Sequence, residues 1–331
     1  MEHTDIIEQL TNFGWREDAL SGLRNGKLFP RLQMLVRDHD ENALHQAINY
    51  LDDQDPKTFF DGAGTKDSKD ELEVAELQNI FRGMRTMLRL AVSAIRIPET
   101  PNYLDQIAWT DRLDDEEIAA ITQCVGKTWL SGFLYCLKSD GAYRRRLEVP
   151  VAIYQPENSN ARTSSSGLIG TLRLDLLDGI SGVFQHPQDF FADVTQTFHE
   201  SMNDAWLAAR CLTDDEQPPA AGCWRILNDD GSAMQKIGGR SAAGAAALGW
   251  YHLYRGTRLD SEIIVLADID ADGNLSGVDG IREKITAIAA GNTFDTVIVA
   301  NEDNRIQAEQ TLKEKFPERR LSIGLPDPYP E

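Results

Sequence analysis

The sequence contains no apolar run approaching the roughly 18 residues that a membrane-spanning helix needs. Its first residues, MEHTDIIEQLTNF, have neither the basic nor the apolar segment of a secretory leader. No membrane partner is expected, and a cytoplasmic location is. Cysteine is scarce: Cys124, Cys136, Cys211 and Cys223 are far apart and form no C-x-x-C pair. They read as reduced packing thiols, which excludes a disulfide frame and a thiolate zinc site. The six histidines, at 3, 39, 45, 186, 199 and 252, form no H-E-x-x-H and no pair at metal-ligand spacing. Basic residues are also short, 33 against 53 acidic ones, for a formal charge of -20. Such a surface repels phosphate backbones and anionic lipid, so nucleic acid is not an expected partner.

A nucleotide-binding signature is missing too. Gly62-Ala-Gly64-Thr-Lys66 has a single residue between its glycines, where a phosphate-cradling loop needs four, and Asp67 follows the lysine where that loop needs Ser or Thr. No ATPase module and no cofactor are expected.

What is present is enough for two domains: 331 residues, 41% of them hydrophobic. Residues 1–143 carry apolar residues at three- and four-residue steps in DIIEQLTNF, ALSGLRNGKLFPRLQMLVRD, ENALHQAINYL and ELEVAELQNIFRGMRTMLRLAVSAIR. That periodicity predicts a mostly α-helical N-terminal domain, interrupted by the loop-like DDQDPKTFFDGAGTKDSKD. Residues 144–331 predict an α+β domain. LEVPVAIY and LIGTLRLDLL are strand-like, and the polar QPENSNARTSSSG between them reads as a loop. A helix is expected from Pro187 to Leu212, then a strand at CWRILN, an alanine-rich helix after Gly239 and a strand at SEIIVLADI. The helix IREKITAIAAG, the strand DTVIVA and a helix from Ile306 to Lys315 complete the pattern.

The stretch DIDADGNLSGVDGIREK, residues 268–284, admits two readings. Asp268, Asp270 and Asp272 followed by Gly273 have the spacing of a calcium loop, with Asp279 at the twelfth position. Against that, the segment before it, Glu262–Leu266, is a β-branched strand run rather than a helix, and Asp272-Gly273-Asn274 is a strong hairpin-turn signal. The second reading centres on Lys284, flanked by the apolar Ile281 and Ile285, with Leu266 a further apolar neighbour. Upstream, Ser241 follows two glycines at the start of the alanine-rich helix, where a hydroxyl either caps the helix or stands beside free backbone N–H groups.

Ser241 and Lys284 together resemble the proteolytic domain of Lon-type Ser/Lys peptidases. Ser241-Ala242 stands at that family's nucleophile motif, Gly256 at the end of its helix and Gly273 in its hairpin turn. Gly280-Ile281-Arg282-Glu283-Lys284 stands at its base motif, in register without a gap, and AIAAGNTFDTVIVANEDN resembles the continuation. The resemblance covers residues 144–331. It implies a Lon-like α+β fold, Ser241 as nucleophile and Lys284 as base, with Gly239, Arg240, Ala242 and Asp268 around the oxyanion and the substrate. It also implies a homo-oligomeric ring acting on a protein or peptide substrate.

The pattern departs from the family at Arg240, where proline is usual, at Ala243, where glycine is usual, and at Gly238, where many members carry an acid. Leu266-Ala267-Asp268 replaces a Thr-Gly-Glu beside the lysine. Arg240 is open to two roles, steering an acidic substrate side chain or pairing with one of the chain's own acids. Three functional readings follow: an ATP-independent peptidase, a catalytically silent Lon-like binding module, and a calcium-responsive protein using Asp268, Asp270 and Asp272.

Overall fold

A computed structural model of the chain describes residues 23, 26–55, 74–96, 126–138, 145–155, 166–178, 182–213, 220–234, 236–291 and 293–326. The expected helix DIIEQLTNF, the Gly62–Lys66 stretch and Cys124 lie outside the described residues. In chain order the elements are α1 (Leu28–Arg37), α2 (Glu41–Asp52), α3 (Val74–Arg96), α4 (Gly126–Lys138), β1 (Arg145–Gln155), β2 (Ser166–Asp178) and β3 (Gly182–Gln185). After a 3-10 turn at Pro187–Asp189 come β4 (Asp193–Val194), α5 (Gln196–Cys211), β5 (Ala220–Leu227), β6 (Lys236–Ile237) and α6 (Ala243–Arg255). Last are β7 (Ile263–Leu266), β8 (Asp268–Ile269), β9 (Leu275–Ser276), α7 (Ile281–Ala290), β10 (Thr296–Val299), α8 (Glu302–Lys315) and β11 (Ser322–Gly324). Helix and strand are thus both present in quantity. Among the described residues no helix is long and apolar enough to cross a membrane.

Two compact units divide the chain: Met1–Ala142 with Gly179–Ala192, and Tyr143–Asp178 with Asp193–Glu331. In the first, α1 buries Leu28, Phe29, Leu32, Leu35 and Val36, the three- and four-residue spacing of one helix face. The Asp40 carboxylate starts α2 by accepting from the Ala43 N–H at 3.1 Å. Phe29 meets Phe133 of α4 edge-on at 5.5 Å and the His186 ring at 5.6 Å. Gly132 is placed so that a Cβ there would lie 2.4 Å from the Phe184 ring, so the helix can approach the 182–192 segment only without a side chain.

The helix expected to run from Pro187 is shorter at its start. Pro187 opens a single 3-10 turn, capped by His186 Nδ1 accepting from the Gln188 N–H at 3.1 Å. Asp193–Val194 then pairs with β6, and α5 begins only after Thr195, whose Oγ1 accepts from the Phe198 N–H at 3.3 Å. A threonine cap overrode an apolar pattern that read as helical.

In the second unit, β1, β2 and β5 form an antiparallel ribbon in that order. Its period-two alternation sorts the faces. Leu147, Leu174 and Trp224 align in one row, and Val149, Leu172 and Ile226 in the next. Gly249 of α6 lies against Val149 and Leu174. The opposite face carries Arg146 beside Asp175, and Glu148 beside Arg173, which in turn neighbours Arg225. Burial pushes the Asp175 carboxyl up, while Arg146, donating Nε at 2.5 Å, pulls it down.

Strands β7, β10 and β11 form a separate parallel sheet, in the order β11-β10-β7, with α7 and α8 as the crossovers. Ile264, Leu266, Val297 and Val299 from the strands pack with Ile281, Ile285 and Ile288 of α7 and Ala308 and Leu312 of α8. Each of these large aliphatic side chains contributes on the order of 2 kcal/mol by leaving water. This topology puts the N-termini of α7 and α8 at the C-terminal edge of the parallel strands, the edge where such sheets offer binding sites.

Candidate active site

The hairpin half of the 268–284 stretch is a turn. Asp268 pairs with Ser276 and Ile269 with Leu275, and Gly273 takes a left-handed φ of 89°. Asp270 Oδ1 accepts from the N–H groups of Asp272 and Asn274 at 3.0 and 2.8 Å, and Oδ2 accepts from Asn274 Nδ2 at 2.9 Å. Those bonds hold its carboxyl below the usual range. Asp268 is turned instead toward Arg240. The Asp268 and Asp270 carboxylates are therefore spent on separate partners, and among the described residues no group of three or more His, Cys, Asp or Glu side chains that could hold a metal ion converges.

Lys284 lies in the first turn of α7. The helix buries Ile281, Lys284, Ile285, Ile288 and Ala289, so the lysine occupies a core position of an otherwise apolar stripe. The residue is 1% exposed, and its Nζ donates to the Asp279 carbonyl at 2.8 Å. Desolvation pushes the amine down from 10.5 to about 8, against the opposing pull of the Asp279 and Glu283 carboxylates. The positive end of the α7 dipole acts in the same downward direction as burial.

Ser241 stands one residue before the N-cap of α6, which is Ala242, so the hydroxyl does not cap that helix. Of the two roles open to the hydroxyl, capping is the one it does not take: Gly239, at φ 79°, turns the backbone so that Arg240 and Ser241 form a tight turn before the helix begins. Ser241 is half-buried, and its hydroxyl makes no hydrogen bond among the described residues. The Ala243 N–H donates to the Arg240 carbonyl at 3.0 Å and the Gly244 N–H to the Ala267 carbonyl at 2.9 Å. The N–H groups of Ser241 and Ala242 find no backbone acceptor among the described residues. They are orphan donors at the positive end of a helix.

Arg240 has the pairing role of the two expected for it. Its Nε donates to Asp268 Oδ2 at 2.7 Å, and its Nη2 donates to Asp204 Oδ2 of α5 at 2.7 Å and to the Ile269 carbonyl at 3.4 Å. Bonding to Asp268 and then Asp204 raises its pKa above the ordinary arginine value. The turn bearing Ser241 is thereby tied to both α5 and the β7–β8 joint. Gly244 completes the tie, because a Cβ there would lie 2.9 Å from the Ala267 Cβ and 3.0 Å from its carbonyl oxygen.

Ser241 and Lys284 thus both lie at the C-terminal end of β7, one through the Gly244–Ala267 bond and the other through Leu266, which packs with Ile281 and Ile285. No hydrogen bond joins the two side chains, and the lysine's bond goes to Asp279. Of the histidines, His199 lies tilted against Trp224, with ring centroids 5.5 Å apart, and His252 faces Thr257 Oγ1 at 2.7 Å; neither bonds Ser241.

Sequence reasoning overlooked Asp204 and Asn304. Asp204 lies 36 residues from Arg240 on a helix with no motif of its own. Asn304 was legible only as a polar residue after a strand, yet it is 7% exposed and bonds both backbone groups of Val278. Models of known protein families match no part of this chain, and no curated protein matches it.

Proposed function

We propose that the chain is a Lon-like Ser/Lys endopeptidase that works without its own ATPase on a flexible segment or a dedicated protein partner. The observation that carries this reading is the buried Lys284 amine, pushed down to about 8 at a core position of α7. An unpaired buried ammonium is costly, so a lysine there calls for a task that a neutral amine performs. The unbonded Ser241 hydroxyl at the same edge of the sheet, with orphan N–H groups beside it, supports the pairing.

In this mechanism Lys284 Nζ takes the Ser241 proton as Oγ attacks the peptide carbonyl carbon. The N–H groups of Ser241 and Ala242 receive the oxyanion. Collapse breaks the C–N bond, and the Lys284 ammonium returns its proton to the leaving amine. Water, deprotonated by the same lysine, then cleaves the acyl-Ser241 ester and frees the acid. A substrate must bring Nζ from the Asp279 carbonyl to Ser241, because catalytic hydrogen bonds commonly tighten only in the substrate complex. Arg240, already shared between Asp268 and Asp204, acts here by holding the nucleophile turn rather than by steering substrate. A homo-oligomeric ring belongs to the same reading, as the resemblance implies.

The test is incubation with casein and with unstructured segments of candidate partners, beside Ser241→Ala and Lys284→Ala, with products read by mass spectrometry. Cleavage lost in both variants supports the dyad, and cleavage unaffected by either sinks it. One observation favours a second reading, a catalytically silent Lon-like binding module: Lys284 Nζ is held by Asp279 and not by Ser241. Absence of cleavage on every substrate, with the same partners still bound, would favour that module.

A further inference from the structure

The four residues leading into α7 are each fixed for a separate reason. Gly277 passes so close to α8 that a Cβ would lie 2.5 Å from Asn301 Nδ2 and 3.0 Å from Asn304 Oδ1. Val278 is bonded at both ends of its peptide frame. Its N–H donates to Asn304 Oδ1 at 2.9 Å, and its carbonyl accepts from Asn304 Nδ2 at 3.2 Å. Gly280 takes a left-handed φ of 68° and lies against Tyr154, where a Cβ would come within 2.5 Å of the ring. Between these fixed points, Asp279 has a single described structural task, to present its carbonyl to Lys284 Nζ at 2.8 Å.

Asn304 is itself held rigidly. It sits in the first turn of α8 with its own N–H donating to the Asn301 cap at 2.9 Å, and its side chain is buried. A planar side-chain amide bonded to both an N–H and a carbonyl of one residue fixes that residue's position and rotation together. Asparagine is the side chain of that length that offers one acceptor and one donor in this plane; aspartate keeps the acceptor and loses the donor.

We infer that Asn304 is a positioning residue for Lys284: its two-point lock on Val278 aims the Asp279 carbonyl that holds the lysine amine. The inference rests on Lys284 as the base only for its catalytic consequence, since the lock acts on the amine whether or not the chain cleaves anything. Loosening the lock frees the 276–280 loop and admits water to Nζ. Burial is the largest cause of the depressed lysine, ahead of the opposing Asp279 and Glu283 carboxylates, so wetting moves its titration upward.

The test uses the full chain with lysine labelled at Cε by carbon-13. The Lys284 resonance is assigned by its loss in Lys284→Met, and its titration is followed by NMR. Asn304→Ala is expected to raise the Lys284 midpoint by about one pH unit or more, with the circular dichroism spectrum of the folded chain retained. Asn304→Asp, which keeps the bond from the Val278 N–H but sets a second acceptor against the Val278 carbonyl, is expected to raise it as well. Thr311→Val is the control. Thr311 is buried on the same helix and bonds only within it, to the Gln307 carbonyl at 2.7 Å, so this change perturbs α8 without touching the loop. A Lys284 midpoint unchanged in Asn304→Ala, or moved as far by Thr311→Val, would overturn the inference. Where cleavage is measurable, Asn304→Ala should lower kcat and move the alkaline rise of kcat/KM upward with little change in KM. A silent protein would leave the NMR result standing and count against the peptidase reading alone.

Discussion

Burying Lys284 should make the chain's stability depend on pH in a direction opposite to that of a salt-bridged carboxylate. The folded-state value of about 8 lies below the ordinary 10.5. That gap corresponds to roughly 3 kcal/mol, at about 1.4 kcal/mol for each unit. Below pH 8 the lysine is protonated in both folded and unfolded chains, and the folded state bears the whole penalty. Between 8 and 10.5 the folded chain has released a proton that the unfolded chain still holds, so stability rises with pH through that window. Above 10.5 both are neutral and the penalty is gone.

Lys284→Met keeps the volume and the apolar stripe, removes the charge, and loses one hydrogen bond to the Asp279 carbonyl, costing about 1 kcal/mol. The variant should therefore be more stable than the parent by about 2 kcal/mol at pH 7 and less stable by about 1 kcal/mol near pH 10.5. Urea unfolding midpoints of parent and variant at several pH values from 7 to 10.5, compared at constant slope, measure the difference. A stability difference that does not vary with pH, or a variant weaker than its parent at pH 7, would refute the claim that this amine is desolvated in the folded state.

Three further expectations concern the same edge of the sheet. If the chain cleaves protein, kcat/KM should rise with pH to a plateau with a midpoint near 8, since the base acts in its neutral form; a flat profile from pH 6 to 10 would remove Lys284 from that role. Arg240→Gln should loosen the Ser241 turn by breaking the bonds to Asp268 and Asp204, lowering kcat while costing stability by only about 1 kcal/mol, because both pairs are partly solvated. Comparing its unfolding midpoint and turnover with the parent's tests this, and unchanged turnover would leave Arg240 a surface ion pair. Gly244→Ala should break the Gly244–Ala267 contact and cost about 1–3 kcal/mol by overpacking, read as a lowered melting temperature.

The sequence by itself determined where most elements of the second unit lie. Its period-two runs became β1 and β2, Asp272-Gly273-Asn274 became a hairpin turn, and Gly256 became the left-handed C-cap of α6. Those features are local, set by the backbone freedom of glycine and by alternation along a strand, so a short window contains all that decides them. Caps were less legible. Thr195 and Asn301 moved the starts of α5 and α8 away from where apolar periodicity placed them, because a hydroxyl or amide competes with that pattern only once it finds its N–H.

The candidate site divides in the same way. Lys284 and Ser241 stood out as residue types in a suggestive spacing, but the burial of the amine exists only because α7 packs its stripe on the parallel strands. The Arg240 partners, Asp268 and Asp204, lie 28 and 36 residues away. The amide lock from Asn304 spans 26 residues. Pairings of that range depend on which elements the core brings together, and nothing in the local sequence encodes a distance across the fold. The tertiary structure decided that the Asp268 and Asp270 carboxylates have separate partners, that Arg240 is paired, and that the lysine amine is held by a carbonyl whose own position is set from a neighbouring helix.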